Sequence, residues 1–334
     1  MFRESISILL LLLLNSCYFT FAQESKQQDA PYVRWVSQYP PSEKAAIKFS
    51  KRLGHILFGK EEFVLSKPFN VLAKNPKEFW LIDQANGAIV KIKENTLETP
   101  KFILKQLKGF SSLIDMCKSS DGSIFFTDSH LKNVYKIDFN KKKILPINNT
   151  LELNQPTGIA YSPKNNQLWV VETGAHRILI LNANTGQLIK KIGGRGTANG
   201  TFNFPTFIWV DVKGNVYVVD SMNFRIQIFN SSGEFVSTFG QIGDASGYMA
   251  RPKGIATDSF GNIYVADALF HVVQVFDQAG NFLYRFGEQG QGKAQFWMPT
   301  GIYIDENNYI YIADTYNTRV QIFQLVNGKL LNKE

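Results

Sequence analysis

One pattern recurs along the second half of this chain at a fixed spacing. "PTFIWVDVKGNVYVVDSMNFRIQIF" begins at Pro205, "PKGIATDSFGNIYVADALFHVVQVF" at Pro252 and "PTGIYIDENNYIYIADTYNTRVQIF" at Pro299, the prolines falling 47 residues apart both times. A period of this size cannot be one continuous helix or an irregular globule. It belongs to a stacked or circular array of supersecondary units.

Each unit holds four short runs of β-branched and aromatic residues bounded by Gly, Asn or Asp. In the unit at Pro252 these are the run through Ile255 and Ala256, "NIYVAD" ending at Asp267, "VVQVF" ending at Phe276, and "NFLYRFG". Gly261 in the turn "DSFGN" supplies the positive φ that a tight connection needs. Four strands joined by tight turns, repeated, predict propeller blades. Weaker copies precede them, and alignment on the acidic residue closing the second strand gives Asp83, Asp128, Glu172, Asp220, Asp267 and Asp314. The fold expected is all-β, a six-bladed propeller over 67–334.

The pattern Pro-x-Gly-Ile, then Gly-Asn-x-Tyr-Val-Ala-Asp, then Arg-Val-Gln-Ile-Phe resembles the NHL-repeat six-bladed propellers. The resemblance is close over 204–323 and rests mainly on strand pattern in the first two units. It implies the fold and not the activity, since such propellers include binding modules and several enzymes.

A ring must close, because an unpaired blade edge is open to aggregation. After Phe323 the chain offers only "QLVNGKLLNKE", whereas "PYVRWVSQY" (31–39) has the composition of an outer strand and is expected to pair into the last blade. A short amphipathic helix is expected within "EKAAIKFSKRLGHILFG", with Ile47, Leu53, Ile56 and Leu57 on one face. The segment 23–66 then forms an N-terminal extension that closes the ring, which is expected to be monomeric.

The chain opens with Arg3 and an apolar run from Ile6 to Leu14, the h-region of a signal peptide rather than a membrane span. Two processing routes fit. Cleavage after Ala22 would remove 1–22; cleavage at a lipobox-like "LNSC" would remove 1–16 and leave Cys17 lipidated. Either places the protein outside the cytoplasm, in a bacterial periplasm, on an outer membrane or secreted, with the membrane reached only through that anchor. The other cysteine, Cys117, aligns with Ala256 and is expected to be a buried small hydrophobe.

Of the net charge of +8, all lies in residues 1–150, with 22 Lys/Arg against 14 Asp/Glu. Lys101, Lys105, Lys108, Lys132 and Lys141 to Lys143 make one basic side, suited to solvation or to an anionic partner. Nucleic acid is excluded by location and by aromatics that do not interleave with these lysines.

His130, His176 and His271 fall in turns between second and third strands of blades two, three and five, too far apart to converge on one zinc ion. The segment "DALFHVVQVF" is similar to a zinc-ligand segment of peptide-amidating lyases. Where that family also has histidines, this chain has Thr157, Thr206, Lys253 and Thr300. A calcium cage like that of lactonase propellers is not expected either, because one acid per blade is explained by hydrogen bonds from backbone N–H groups in the following turn. No Gly-x-Ser-x-Gly elbow occurs, and the Gly-rich "IGGRGTANG" is an interblade loop, not a phosphate cradle.

The expectation is a non-enzymatic binding or scaffold propeller with no cofactor and no metal, its partner a protein or anionic glycan of the cell envelope. A metal-dependent, lyase-like or lactonase-like enzyme is the alternative. The interblade loops and the second-to-third turns share one face. Residues there that break the repeat are the candidate partner-binding set: Arg195, Phe224, Tyr248, Arg251, Phe270, His271, Trp297 and Tyr316.

Overall fold

The computed structural model describes residues 32–41, 64–148, 150 and 152–326. The leader with Cys17, the helix expected within 43–59 and His55 lie outside the described residues. Six four-stranded antiparallel sheets follow one another around an axis. In blade four the strands are Pro205–Val210, Val216–Asp220, Arg225–Phe229 and Phe235–Phe239, running from the axis outward.

Side chains along a strand alternate between its two faces, and here both faces meet a neighbouring blade. In the second strand of blade four, Val216 and Val218 pack with Trp169 and Ile180 of blade three, while Tyr217 and Val219 pack with Ile263 and Val265 of blade five. The second strands therefore read as unbroken apolar runs. The outer strand "FVSTF" has solvent on one side and alternates.

Interblade loops add a wedge three residues before each proline: Phe202, Met249 and Phe296 are fully buried between blades. Opposite them stand Gly193, Gly240 and Gly287. A Cβ there would lie 2.4 Å from Phe202, 2.8 Å from Met249 and 2.3 Å from Phe296, on a backbone with φ near +90°. Glycine is thus required twice over, by space and by backbone conformation. Phe204 and Trp297, next to the wedges, are instead exposed.

The sixth blade is completed from the other end of the chain. Tyr32–Tyr39 pairs antiparallel with Arg319–Val326, in the sheet whose inner strands are Pro299–Ile304 and Tyr309–Asp314. Trp35 Nε1 donates to Gln321 Oε1 at 3.0 Å, and Gln38 Oε1 accepts from Arg319 at 3.0 Å. Tyr39 is buried edge-on against Phe79 of blade one, ring centroids 5.7 Å apart. One local departure is in blade one, whose outer strand is only Thr96–Leu97 and is followed by helix α1 (Lys101–Gln106). Ile103 of α1 is buried, and the Gln106 amide clamps blade two through Lys142 O and Ile144 N.

The acidic series holds the blade ends together. Asp314 is fully buried and accepts from the Trp297 backbone N–H (2.8 Å), Asn317 Nδ2, Arg319 Nε (2.8 Å) and Gln321 Nε2. Arg319 then donates to the carbonyls of Gln291, Gly292 and Gln295 in the interblade loop. Asp220 with Arg225 repeats the arrangement in blade four, and Glu172 pairs with Arg177 in blade three. The partners extend beyond the following turn: Asp128 and Asp267 accept from both that turn and the loop entering their own blade.

Two outcomes follow from this packing. Tyr39→Ala removes the plug between blades six and one and is expected to cost about 3–5 kcal/mol, read as a lowered urea midpoint. Arg319→Ala leaves Asp314 buried without its cation and is expected to cost about 3–5 kcal/mol. Lys141→Ala, whose ion pair with Asp138 is exposed, should stay within about 0.5 kcal/mol.

Candidate functional site

The second-to-third turns and the interblade loops do lie on one face, joined by bonds such as Asn223 Nδ2 to Gly196 O at 2.9 Å and Asn317 Nδ2 to Gly290 O at 2.8 Å. Of the eight candidate residues on this loop face, Arg195, Arg251, Trp297 and Tyr316 are exposed. Phe224, Tyr248, Phe270 and His271 are half-buried, Phe224 packing into the core between blades four and five. Trp297 and Tyr316 form a tilted ring pair, centroids 5.7 Å apart, at 42% and 56% exposure. Leu269, Met222 and Phe204 add exposed apolar surface to the same face.

The three described histidines bond to the loops entering blades two, four and six. His176 and His271 both adopt left-handed backbone after the second-to-third turn. Their Nδ1 atoms accept from the backbone N–H of Phe204 and Met298, each at 3.0 Å, in the loop entering the next blade. His130 Nδ1 meets Ser111 Oγ at 3.1 Å. Among the described residues, no three His, Cys, Asp or Glu side chains converge as metal ligands would.

Around the axis at the loop face, side chains rivet blade to blade. Thr173 Oγ1 donates to Pro205 O (2.6 Å), Thr315 Oγ1 to Pro68 O (2.8 Å) and Gln84 Nε2 to Leu113 O (3.1 Å). Thr157 reaches Thr206 O at 2.8 Å, and Thr300 reaches Phe69 O at 2.7 Å. Blade five breaks the series: Lys253 stands where blades three, four and six have threonine, and Ala268 replaces the hydroxyl after the acid. Burial first, and the Arg251 charge second, push the Lys253 amine down to about 8. Among the described residues it has no hydrogen-bond or ion-pair partner. Sequence reasoning had this residue in view only as a missing imidazole.

A second departure sits deeper in the channel. The second position after the blade proline is Gly158, Phe207, Gly254 and Gly301 in blades three to six, but Asn70 in blade one and Asp115 in blade two. Asp115 is about 95% buried; its carboxylate accepts from Asn70 Nδ2, from the Met116 N–H at 2.8 Å and from the Ile159 N–H at 2.9 Å, so it ties three blades together. Burial raises its carboxyl to about 7 against the lowering effect of those N–H donors. Both residues line a cavity of about 170 Å³ walled by Cys117, Tyr161, Trp209 and Tyr303. Cys117, expected to be buried, is partly accessible at this wall, while its thiol is desolvated there and, beside Asp115, is held above the usual range.

A carboxyl raised in the folded state contributes stability that is complete below its unfolded value and is lost as pH rises through its folded value. The urea midpoint of the wild type is therefore expected to fall between about pH 4 and 7 relative to Asp115→Asn, which lacks the titration. Parallel profiles for the two proteins would show that Asp115 does not titrate there.

Comparison with known proteins agrees with this architecture. A family model described as a 6-bladed beta-propeller matches residues 255–334, a beta-propeller repeat matches 239–266, and the NHL repeat matches 153–181 and 202–229. No curated protein sequence matches the chain. A catalytically inactive virginiamycin B lyase from Staphylococcus aureus, solved with quinupristin, is similar with TM-score 0.57 and 16% identity, over 78% of this chain and 96% of that one. An auxiliary nutrient binding protein from Bacteroides ovatus gives 0.59 and 15%, over 78% and 70%. A protein of unknown function from Bacteroides thetaiotaomicron gives 0.62 and 15%, also over 78% and 70%. Proteins sharing this fold thus divide between enzymes and binding proteins, and at these identities the likeness is one of fold. The chain is a six-bladed β-propeller protein that carries NHL repeats at 153–181 and 202–229.

Proposed function

We propose that this protein is a non-enzymatic binding propeller acting outside the cytoplasm, and that blades five and six of its loop face hold an anionic glycan of the cell envelope. The observation that carries the reading is Lys253. Its half-buried, unpaired amine interrupts a ring of structural rivets and stands near a second cation, Arg251. Holding two positive charges together costs free energy unless an anion shares the site. The adjoining Trp297–Tyr316 pair offers broad, rigid apolar surface beside that charge, the kind of anchor that dominates binding energy at interfaces. His176, His271 and the six repeat acids of this face are engaged with backbone groups. The apolar leader run from Ile6 to Leu14 supports a location outside the cytoplasm.

Titration with polygalacturonate, and with its methyl-esterified neutral form as control, tests this. Binding of the acidic polymer alone is expected, weakening as salt rises because the attraction is between partly exposed charges. Lys253→Gln and Trp297→Ala should each weaken it by at least about tenfold without changing the urea midpoint. Equal binding of the neutral polymer, or variants that bind like the wild type, would remove this site from consideration. Capture of an acidic protein without any glycan binding would replace the glycan by a protein partner.

A further inference from the structure

We propose that the axial cavity beside Asp115 is a second binding site, separate from the loop face, for a small primary ammonium ion on a short unbranched chain. Four observations carry it. Asp115 is a buried carboxylate with no cationic partner among the described residues; its three hydrogen bonds all come from neutral N–H groups of Asn70, Met116 and Ile159. A carboxylate has about four lone-pair sites, so one acceptor position remains. A buried charge without a counter-ion is strongly disfavoured, and a bound cation removes that penalty.

The walls have matching chemistry. Trp209 and Tyr303 meet edge to face with centroids 5.6 Å apart, and the indole is fixed by its bond to Thr257 Oγ1 at 2.9 Å. Aromatic faces attract ammonium groups, most strongly where water is excluded. Size excludes larger ligands, since about 170 Å³ is below the roughly 300 Å³ at which drug-sized pockets begin. The way in is a wider groove of about 550 Å³ that shares Leu72, Lys118 and Tyr303 with the cavity. This cavity is lined by the later halves of the inner strands, toward the first-to-second turns and away from the loop face.

The fourth observation is the repeat itself. Asn70 and Asp115 occupy a position that is glycine in three other blades, where a Cβ would lie 2.5 to 2.7 Å from the next blade's backbone. Placing polar side chains there in two adjacent blades sets one side of the channel apart. The other titratable groups lining the cavity are Cys117 and Lys118 on the same strand, Tyr161 from blade three and Tyr303 from blade six. Burial holds Cys117 and Tyr303 in their neutral forms, Tyr303 being pushed up to about 12. Lys118 is exposed at the mouth.

Isothermal titration of n-butylammonium into the full-length protein, with n-butanol as its neutral counterpart, is the test. One saturable site for the ammonium and none for the alcohol is expected. With the Asp115 carboxyl at about 7, affinity should be about 30-fold higher near pH 8.5 than near pH 5.5. Asp115→Asn should abolish binding, while the glycan binding of the loop face persists. Because the pH pair and the alcohol control use unmodified protein, the outcome does not depend on that variant folding. Absence of saturable binding, equal binding of the alcohol, or affinity independent of pH would each overturn the proposal.

Discussion

Every blade of this molecule must be covered on both faces, and the pairing of Tyr32–Tyr39 with Arg319–Val326 is what makes that possible. Second strands such as Val216–Asp220 are apolar on both sides, so a blade without two neighbours exposes a full sheet face to water. Only a closed ring satisfies all six at once. Closure by a strand from the far end of the sequence adds backbone ladder bonds and the Tyr39 plug against Phe79. It also fixes the channel, because the inner strands cannot spread once the last blade is complete. The precision of the axial groups around Asp115 and Lys253 depends on that closure.

With closure given, repetition separates structural chemistry from chemistry available for function. A buried acid appears in each blade in the same place and always accepts from N–H groups of the loop entering that blade, with Arg177, Arg225 or Arg319 added in blades three, four and six. A feature required six times by the same packing problem is explained by that problem. The residues left over are those at which one blade abandons the shared solution. Lys253 with Ala268 does so at the loop face, and Asn70 with Asp115 does so inside the channel. Lys253 and Asp115 fall in blades five and two, three blades apart around the ring.

Much of the fold was legible because the period of 47 residues survives in the last three blades, where Pro, Gly and the acidic residue hold their spacing. The closing strand was legible from composition alone. Helix α1 was not, because it replaces most of an outer strand, the position under least packing constraint. Asp115 was missed for a sharper reason. Blade two has Leu113 where the others have proline, so the proline that marks the repeat does not point to its one buried axial acid. The loop face was found, yet histidine drew notice there ahead of Lys253. Imidazole is a familiar ligand, whereas an amine gains interest only once its burial and lack of partner are known.

The same reasoning bears on how a propeller can acquire new binding without losing its fold. Glycine at the second position after the proline lets neighbouring inner strands approach, as at Gly254 against Thr300 and Ile302. At Gly254 a side chain would be driven into the next strand, whereas in blade four Phe207 occupies the position and stacks on Phe69 of blade one, centroids 6.2 Å apart. In blades one and two the replacement is accommodated because Asn70 and Asp115 hydrogen-bond each other and Asp115 reaches the Ile159 N–H, so polar contacts take over a junction elsewhere made by close backbone packing. The two substitutions are therefore coupled: either alone would leave a buried polar group with fewer partners than it needs. A paired change of this kind keeps the ring closed and also opens space on the axis beside a carboxylate. Function at the centre of such a ring is thus tied to the blade junctions, and in blades one and two a polar pair replaces the glycine contact.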